Sequence, residues 1–309
     1  MSRAAAARKV RKPSAWVTGT LATRLRAFER YFDRTLPGAD YVPRRLHAAM
    51  RYAALSPGKR LRPLLTLAAC QAVGGRWQQA LPAAAAVECV HAFSLIHDDL
   101  PAMDNDDYRR GRPTTHKKFG EALGLLAGDA LMALAFQELA RLAERGVRAA
   151  RVVDATRTLA FASGSYLLVG GQVLDLEAEG RRPNPIAIRE IHLRKTGALM
   201  GAALELGGLV AEATQAQLQH LGEIGLQLGL AFQIHDDLLN RRSSLKRLGK
   251  RAGTDAKRGK ATYPAAVGEA RARQEAAVWI GRALVGVRSF GPRARHLQLL
   301  IAAMAVRDH

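Results

Sequence analysis

The chain has 309 residues, with 47 Lys and Arg against 27 Asp and Glu, for a formal net charge of +20. Aromatics make up only 6% of residues, Ala and Leu dominate and β-branched runs are scarce, which argues against a β-protein and for one large all-α domain with ample core. The two cysteines, Cys70 and Cys89, lie in apolar stretches and exclude a disulfide framework, so they read as buried thiols of a cytoplasmic protein. The basic excess is spread along the chain without a helix-turn-helix pattern, zinc-finger spacing or interleaved stacking aromatics, which excludes a specific nucleic-acid function and leaves anionic surfaces or small anionic substrates.

Residues 1–14 are basic, lack acids and carry no apolar core, so they read as a disordered tail ahead of a single domain over residues 15–309. An organelle transit peptide shares that composition, and the shortness of the stretch argues against it. From 15 to 36, Leu21, Leu25, Phe28 and Phe32 recur at helical steps until Pro37 and Gly38 stop the pattern. Ser56, Pro57 and Gly58 then form a turn, and a helix begins near Arg60. Lys59, Arg60 and Arg62 crowd its N-terminal end, where free N–H groups already favour an anion and cations are otherwise misplaced.

The next helix is apolar through Val90, Phe93, Leu95 and Ile96, yet it closes on Asp98 and Asp99. Carboxylates at the end of an apolar run need a cationic partner. His91, Ser94 or Leu95, and Asp98 share one face of it. Pro101 ends the helix, Asp104, Asp106 and Asp107 follow, and Arg109, Arg110 and Arg112 come directly after. An all-oxygen cluster lacking cysteine suits a hard cation such as Mg²⁺ that shares its shell with phosphate.

A long apolar helix over 120–145 holds Asp129 among leucines, which reads as a satisfied buried carboxylate. In 161–180, Gly170 and Gly171 suggest close helix approach, and Gln172 and Asp175 either face a cavity or bond between packed helices. Lys195 and Thr196 stand in an apolar segment before Gly197, where a lysine needs a carboxylate or a phosphate. The stretch FQIHDDLLN then repeats the earlier pattern, with Gln233, Asp237 and Asn240 at i, i+4 and i+7 and Asp236 one position round. Two such helices facing across a bundle would bring several carboxylates to one cavity. Beyond it, a Gly-rich basic segment carries Lys250, Lys257, Arg258 and Lys260 and reads as a flap over an anion. Every long apolar pattern is interrupted by charge, so no transmembrane segment is expected.

Taken together, GKRLRP, HAFSLIHDDLPAMDNDDYRRGRP, KTG, FQIHDDLLN, LGK and GKATYP resemble the motifs of the trans-polyprenyl diphosphate synthases, and look most like the bacterial farnesyl type. The resemblance covers the chain from about residue 20 onward. It implies an all-α bundle around a deep central cavity, usually a homodimer, that condenses isopentenyl diphosphate with an allylic diphosphate. By the same resemblance, Asp98, Asp99, Asp104, Asp236 and Asp237 would hold Mg²⁺, three ions with substrate bound, with Mn²⁺ as a substitute. Lys59, Arg62, His91 and Arg110 would bind isopentenyl diphosphate, and Arg109, Lys195 and Lys250 the allylic diphosphate. Oxygen groups near Lys195, Thr196 and Gln233 would stabilise the allylic cation formed when diphosphate departs.

One position departs from the family pattern: the second motif usually ends in aspartate and here has Asn240, which predicts altered Mg²⁺ affinity with activity retained. Asn240 also leaves open a non-catalytic subunit of the same fold. Phe93 and Ser94 sit where the family sets chain length, and an aromatic there predicts a fifteen-carbon product, with ten and twenty carbons as alternatives.

Overall fold

A computed structural model describes residues 19–242 and 262–305. Apart from one two-stranded hairpin, the regular elements in these residues are helices. The first four are α1 (Gly19–Thr35), α2 (Arg44–Ala54), α3 (Leu61–Val73) and α4 (Leu81–Asp98). A hairpin of β1 (Tyr108–Arg109) and β2 (Arg112–Pro113) follows, then α5 (Thr115–Phe119), α6 (Glu121–Ala140), α7 (Ala149–Ser163) and α8 (Leu168–Glu177). The last group is α9 (Pro185–His192), a π-helical turn (Leu193–Gly197), α10 (Ala198–Val210), α11 (Gln215–Arg242), α12 (Tyr263–Val267), α13 (Glu269–Arg288) and α14 (Arg295–Ala305).

The expected all-α bundle is what forms. Helices α3, α4 and α10 are apolar on nearly every side because they run through the middle of the bundle and are packed all round. Helix α4 packs against α6, and α10 against α3 and α11. The α10–α11 contact is close because glycines face each other: a Cβ on Gly225 would lie 2.5 Å from the backbone nitrogen of Gly201. Cys70 and Cys89 are free, buried thiols, and burial pushes Cys70 up to about 12.

Two expectations fail here. Trp77–Asp98, Glu121–Arg145 and Ala149–Glu177 are, by length and composition, long and apolar enough to cross a membrane, contrary to the prediction that charge interrupts every such run. Glu88 and Asp98 are too sparse to break the first, whose apolar window is 72% buried inside the bundle. Asp129, expected to be buried, leaves 58% of its side chain exposed, because Leu125, Leu126 and Asp129 lie on an outward face of α6. It faces His97 Nε2 at 3.7 Å.

Candidate active site

The ends of α4 and α11 open on a cavity of about 300 Å³. From α4 it is lined by His91, Ser94, Leu95 and Asp98, the helical face the spacing predicted, and from α11 by Gln233, Asp236, Asp237 and Asn240. Gln172 and Asp175 of α8 and Lys195 and Thr196 of the π turn complete the wall.

Beyond α4 the chain folds back, and the Asp104 N–H donates to the Asp98 carbonyl at 2.8 Å, which brings Asp104 into the cavity beside Asp98. The hairpin then reverses through Arg110 and Gly111, with φ of 53° and 72°. Positive φ at both central residues is the two-residue turn whose twist matches paired strands, and Gly111 is suited to it. The reversal sends Arg109 and Arg110 in different directions. Arg109 forks onto Asp99, with Nε 2.8 and 2.9 Å from the two carboxylate oxygens. Arg110 donates from Nη1 to the Pro57 carbonyl at 2.7 Å.

Asp99, expected among the metal ligands, faces Arg109 in this structure. It is 3% exposed, is absent from the lining of the main cavity, and engages Arg109 with both oxygens. Adjacent helical positions point about 100° apart, so Asp98 faces the cavity while Asp99 turns behind it. Burial works to lower the Arg109 pKa, and the Asp99 carboxylate outweighs it, so the guanidinium is held more firmly charged than usual.

Asp237 lines the cavity but is already well bonded. Its Oδ2 accepts from the Tyr263 N–H at 2.9 Å and lies 3.4 Å from His192 Nε2, and its Oδ1 accepts from Gln233 Nε2 at 3.3 Å. The Tyr263 hydroxyl donates to Glu275 at 2.5 Å, anchoring this segment to α13. Asp236 and Asn240 also face the cavity.

Lys195 Nζ donates to Asp175 Oδ2 at 2.8 Å, so the lysine meets a carboxylate within the cavity wall. Thr196 Oγ1 donates to Gln233 Oε1 at 3.0 Å. Sequence reasoning missed the π turn that presents both residues. It also left Gln172 undecided, and both polar atoms of that side chain are buried in the wall without a hydrogen bond.

At the opposite corner, Arg62 and Arg110 line the cavity beside His91. Desolvation lowers the His91 pKa well below its ordinary value, and Arg62, Arg110, Arg109 and Arg60 lower it further, so the imidazole is neutral near pH 7. Lys59 is exposed on the preceding turn and is not part of the lining. Phe93 is not brought to this cavity. It packs partly buried against the core, and its ring stands edge-on to His97 at 4.6 Å on the α4 face toward α6. Lys250, with Lys257, Arg258 and Lys260, lies outside the described residues.

The donor set suits a hard cation. Asp98, Asp104 and Asp236 present carboxylate oxygens from two sides of one cavity, with no thiol nearby. Among the described residues no three carboxylates, imidazoles or thiols converge into a closed cage. A Mg²⁺ ion takes as few as one or two carboxylates and completes its shell with water and substrate phosphate, so it does not require such a cage.

The polyprenyl synthetase family profile matches residues 43–284. The chain is 44% identical over 256 residues to large subunit 1 of a heterodimeric geranylgeranyl pyrophosphate synthase of Arabidopsis thaliana, covering 82% of this chain and 68% of that protein. Among solved structures, an FPP/GFPP synthase from Zymomonas mobilis matches with a TM-score of 0.79 and 37% identity, over 91% of this chain and 95% of that one. A geranyltransferase from Helicobacter pylori, solved with magnesium and isoprenyl diphosphate, matches with a TM-score of 0.82 and 27% identity, over 96% and 98%. The chain spans about two thirds of the length of the Arabidopsis relatives it matches. The expected cytoplasmic location is overturned by these relatives, since the Arabidopsis subunit and the geranylgeranyl pyrophosphate synthase of Catharanthus roseus are both chloroplastic.

Proposed function

The chain belongs to the polyprenyl synthetase family, and on that premise we propose that it joins isopentenyl diphosphate to an allylic diphosphate and elongates the chain to geranylgeranyl diphosphate. The observation that carries this reading is the charge layout of one 300 Å³ cavity, with carboxylates on two walls and a basic corner between α3 and the hairpin. Two diphosphates need two kinds of site. One is bound through a cation shared with carboxylates, and the other directly by guanidinium groups.

In this reading Asp98, Asp104 and Asp236 would hold Mg²⁺, which would supply positive charge to the allylic diphosphate. Arg109, fixed by Asp99, and Lys195, fixed by Asp175, add cations beside the departing group. Arg62, Arg110 and His91 hold the second diphosphate. His91 does so as a neutral hydrogen-bond donor, because burial, and then the surrounding guanidiniums, keep it from protonating. Thr196 and Gln233, bonded to each other, turn oxygen atoms toward the positive charge that develops on the allyl group. Leu95, Leu168, Ile191 and Phe232 line the same space and exclude water from that charge.

A second reading, a fifteen-carbon product, follows from the sequence position of Phe93 on α4 just before the first aspartates, although its ring packs toward α6 and does not line the cavity. The partner we propose is a second copy of the chain. Leu125, Leu126, Val153, Phe161, Val169 and Val173 leave α6, α7 and α8 with exposed apolar side chains that need cover. The heterodimeric Arabidopsis relative makes a different subunit the alternative partner.

Incubating the protein with isopentenyl diphosphate and dimethylallyl, geranyl or farnesyl diphosphate, with Mg²⁺ or with EDTA, tests the proposal. A Mg²⁺-dependent twenty-carbon product supports it, and a fifteen-carbon one supports the Phe93 reading. Absence of product from all three starters overturns both.

A further inference from the structure

Glu88 has no part in the chemistry described above, yet it borders a void shared with Arg60, His91 and Arg110 of the basic corner. It lies one turn before His91 and is 4% exposed within an otherwise apolar stretch of helix. A carboxylate so placed is costly without a partner. Its Oε1 accepts from Arg60 Nη1 at 2.5 Å, and both side chains of the pair are buried.

Arg60 is itself unusual. It immediately precedes α3 with φ of 49° and ψ of 38°, in the left-handed region that residues other than glycine enter at a cost. Its second terminal nitrogen donates to the Ser56 carbonyl at 2.9 Å, closing the turn that carries Lys59. The other side of that turn is held by Arg110, whose Nη1 reaches the Pro57 carbonyl at 2.7 Å. Gly58 makes room for it, since a Cβ there would stand 2.5 Å from Arg110 Nη1 and 3.3 Å from its Cζ.

The turn before α3, the hairpin and the middle of α4 thus meet at one point, with Glu88 behind it. A void of about 40 Å³ is bounded by Glu88, Arg60, His91, Arg109 and Arg110, so these groups face a common space. Four guanidiniums act on His91 in this corner and repel one another until a diphosphate arrives. Among the acids, Glu88 exerts the largest attraction on Arg110. A buried ion pair adds little net stability over an apolar pair of the same volume, so its value lies in what it holds in place.

We propose that Glu88 is a positioning residue for the second, metal-independent diphosphate. Its carboxylate fixes Arg60 in the left-handed turn and offsets the guanidinium cluster, so that Arg62, Arg110 and His91 converge on one anion. This deepens the functional reading above and rests on it.

The test compares the full-length wild type with Glu88→Gln, which keeps the volume and removes the charge, and with Glu88→Asp, which keeps the charge and shortens the reach. Steady-state kinetics would vary each diphosphate in turn. Calorimetry would titrate inorganic pyrophosphate in EDTA, where the carboxylate walls have no cation to share. For Glu88→Gln, the KM for isopentenyl diphosphate and the Kd for pyrophosphate should each rise by roughly tenfold or more, with the KM for the allylic substrate within about twofold of wild type. Glu88→Asp should fall between.

Equal rises in both KM values, or an unchanged pyrophosphate Kd in a variant with the wild-type circular dichroism spectrum, would overturn the proposal. If Glu88→Gln does not fold, the same comparison on Glu88→Asp decides. If the wild type elongates no substrate, the functional reading falls, while the pyrophosphate titration still decides the role of Glu88.

Discussion

Gly229 of α11 lies against the π turn that carries Lys195 and Thr196, and replacing it with alanine tests whether that turn is held in position by close packing. The added Cβ would stand 2.8 Å from the Gly197 nitrogen and 3.2 Å from the Thr196 carbonyl carbon, with the Gly197 Cα nearer still. Ordinary contact between such atoms is about 3.5–4.0 Å. The obstacle is backbone and cannot rotate away, so the turn must retreat by roughly 1 Å. Alanine in a helix interior gains about 1 kcal/mol over glycine, while overpacking costs about 1–3 kcal/mol. The net stability change is therefore small, between near neutral and about 2 kcal/mol destabilising. The activity change should be much larger, because a 1 Å misplacement near reacting atoms can lower the rate about 100-fold. It would come through loss of the Thr196–Gln233 bond and a shifted Lys195. Urea denaturation and steady-state kinetics measure the two effects separately. Gly281→Ala at an exposed position of α13 is the control, since nothing lies within 4 Å of its Cβ position, and it should gain stability with the rate unchanged. Wild-type kcat in folded Gly229→Ala would refute the reasoning.

Asp98→Asn should shift the Mg²⁺ concentration needed for half-maximal rate upward, whereas Asp99→Asn should leave it in place and raise the KM for the allylic diphosphate, because Asp99 serves Arg109; Mg²⁺ titrations of both variants check this. Phe93→Ala should lengthen the product if the ring bounds the growing chain, which chromatography of the dephosphorylated products reads directly. Glu205 on α10 is pushed by burial from 4.5 up to about 7. Between those values the folded state holds a proton that the unfolded chain has lost, so stability falls as pH rises through the window and the full penalty is present above pH 7. Glu205→Gln should accordingly raise the thermal midpoint at pH 8, by an amount equivalent to roughly 2 kcal/mol after allowance for its partial exposure, and leave it unchanged near pH 4.5.

The parts of the site that follow from one helix's own geometry were legible in the sequence. His91, Ser94 and Asp98, and Gln233, Asp237 and Asn240, share faces by spacing alone, and both faces line the cavity. Where two segments far apart in the chain decide the outcome, local pattern gave no purchase. Spacing puts Asp98 on the cavity face, but nothing in it says what Asp99 meets; the partner is Arg109, placed by a hairpin turn ten residues later. The π turn has no sequence signal of its own. It lies where Gly171 of α8 and Gly229 of α11 press on its backbone, and a Cβ at Gly171 would come 2.5 Å from the Lys195 nitrogen. Asp129 misled because a leucine-rich run reads as buried, while α6 keeps Leu125 and Leu126 on an outward face.

The same nonlocal logic gives the acidic residues two distinct jobs. Asp98, Asp104 and Asp236 face the cavity with carboxylates that a shared cation can use, whereas Asp99, Asp175 and Glu88 each hold a cation of the protein itself, Arg109, Lys195 and Arg60. A site that must bind two diphosphates needs guanidinium and ammonium groups crowded together before either substrate arrives, and like charges so close would otherwise splay apart. Carboxylates bonded to these groups offset that repulsion. A motif rich in both aspartate and arginine is then a single construction. Substituting an acid of the second group should impair binding of one particular diphosphate, and substituting one of the first should impair the response to metal.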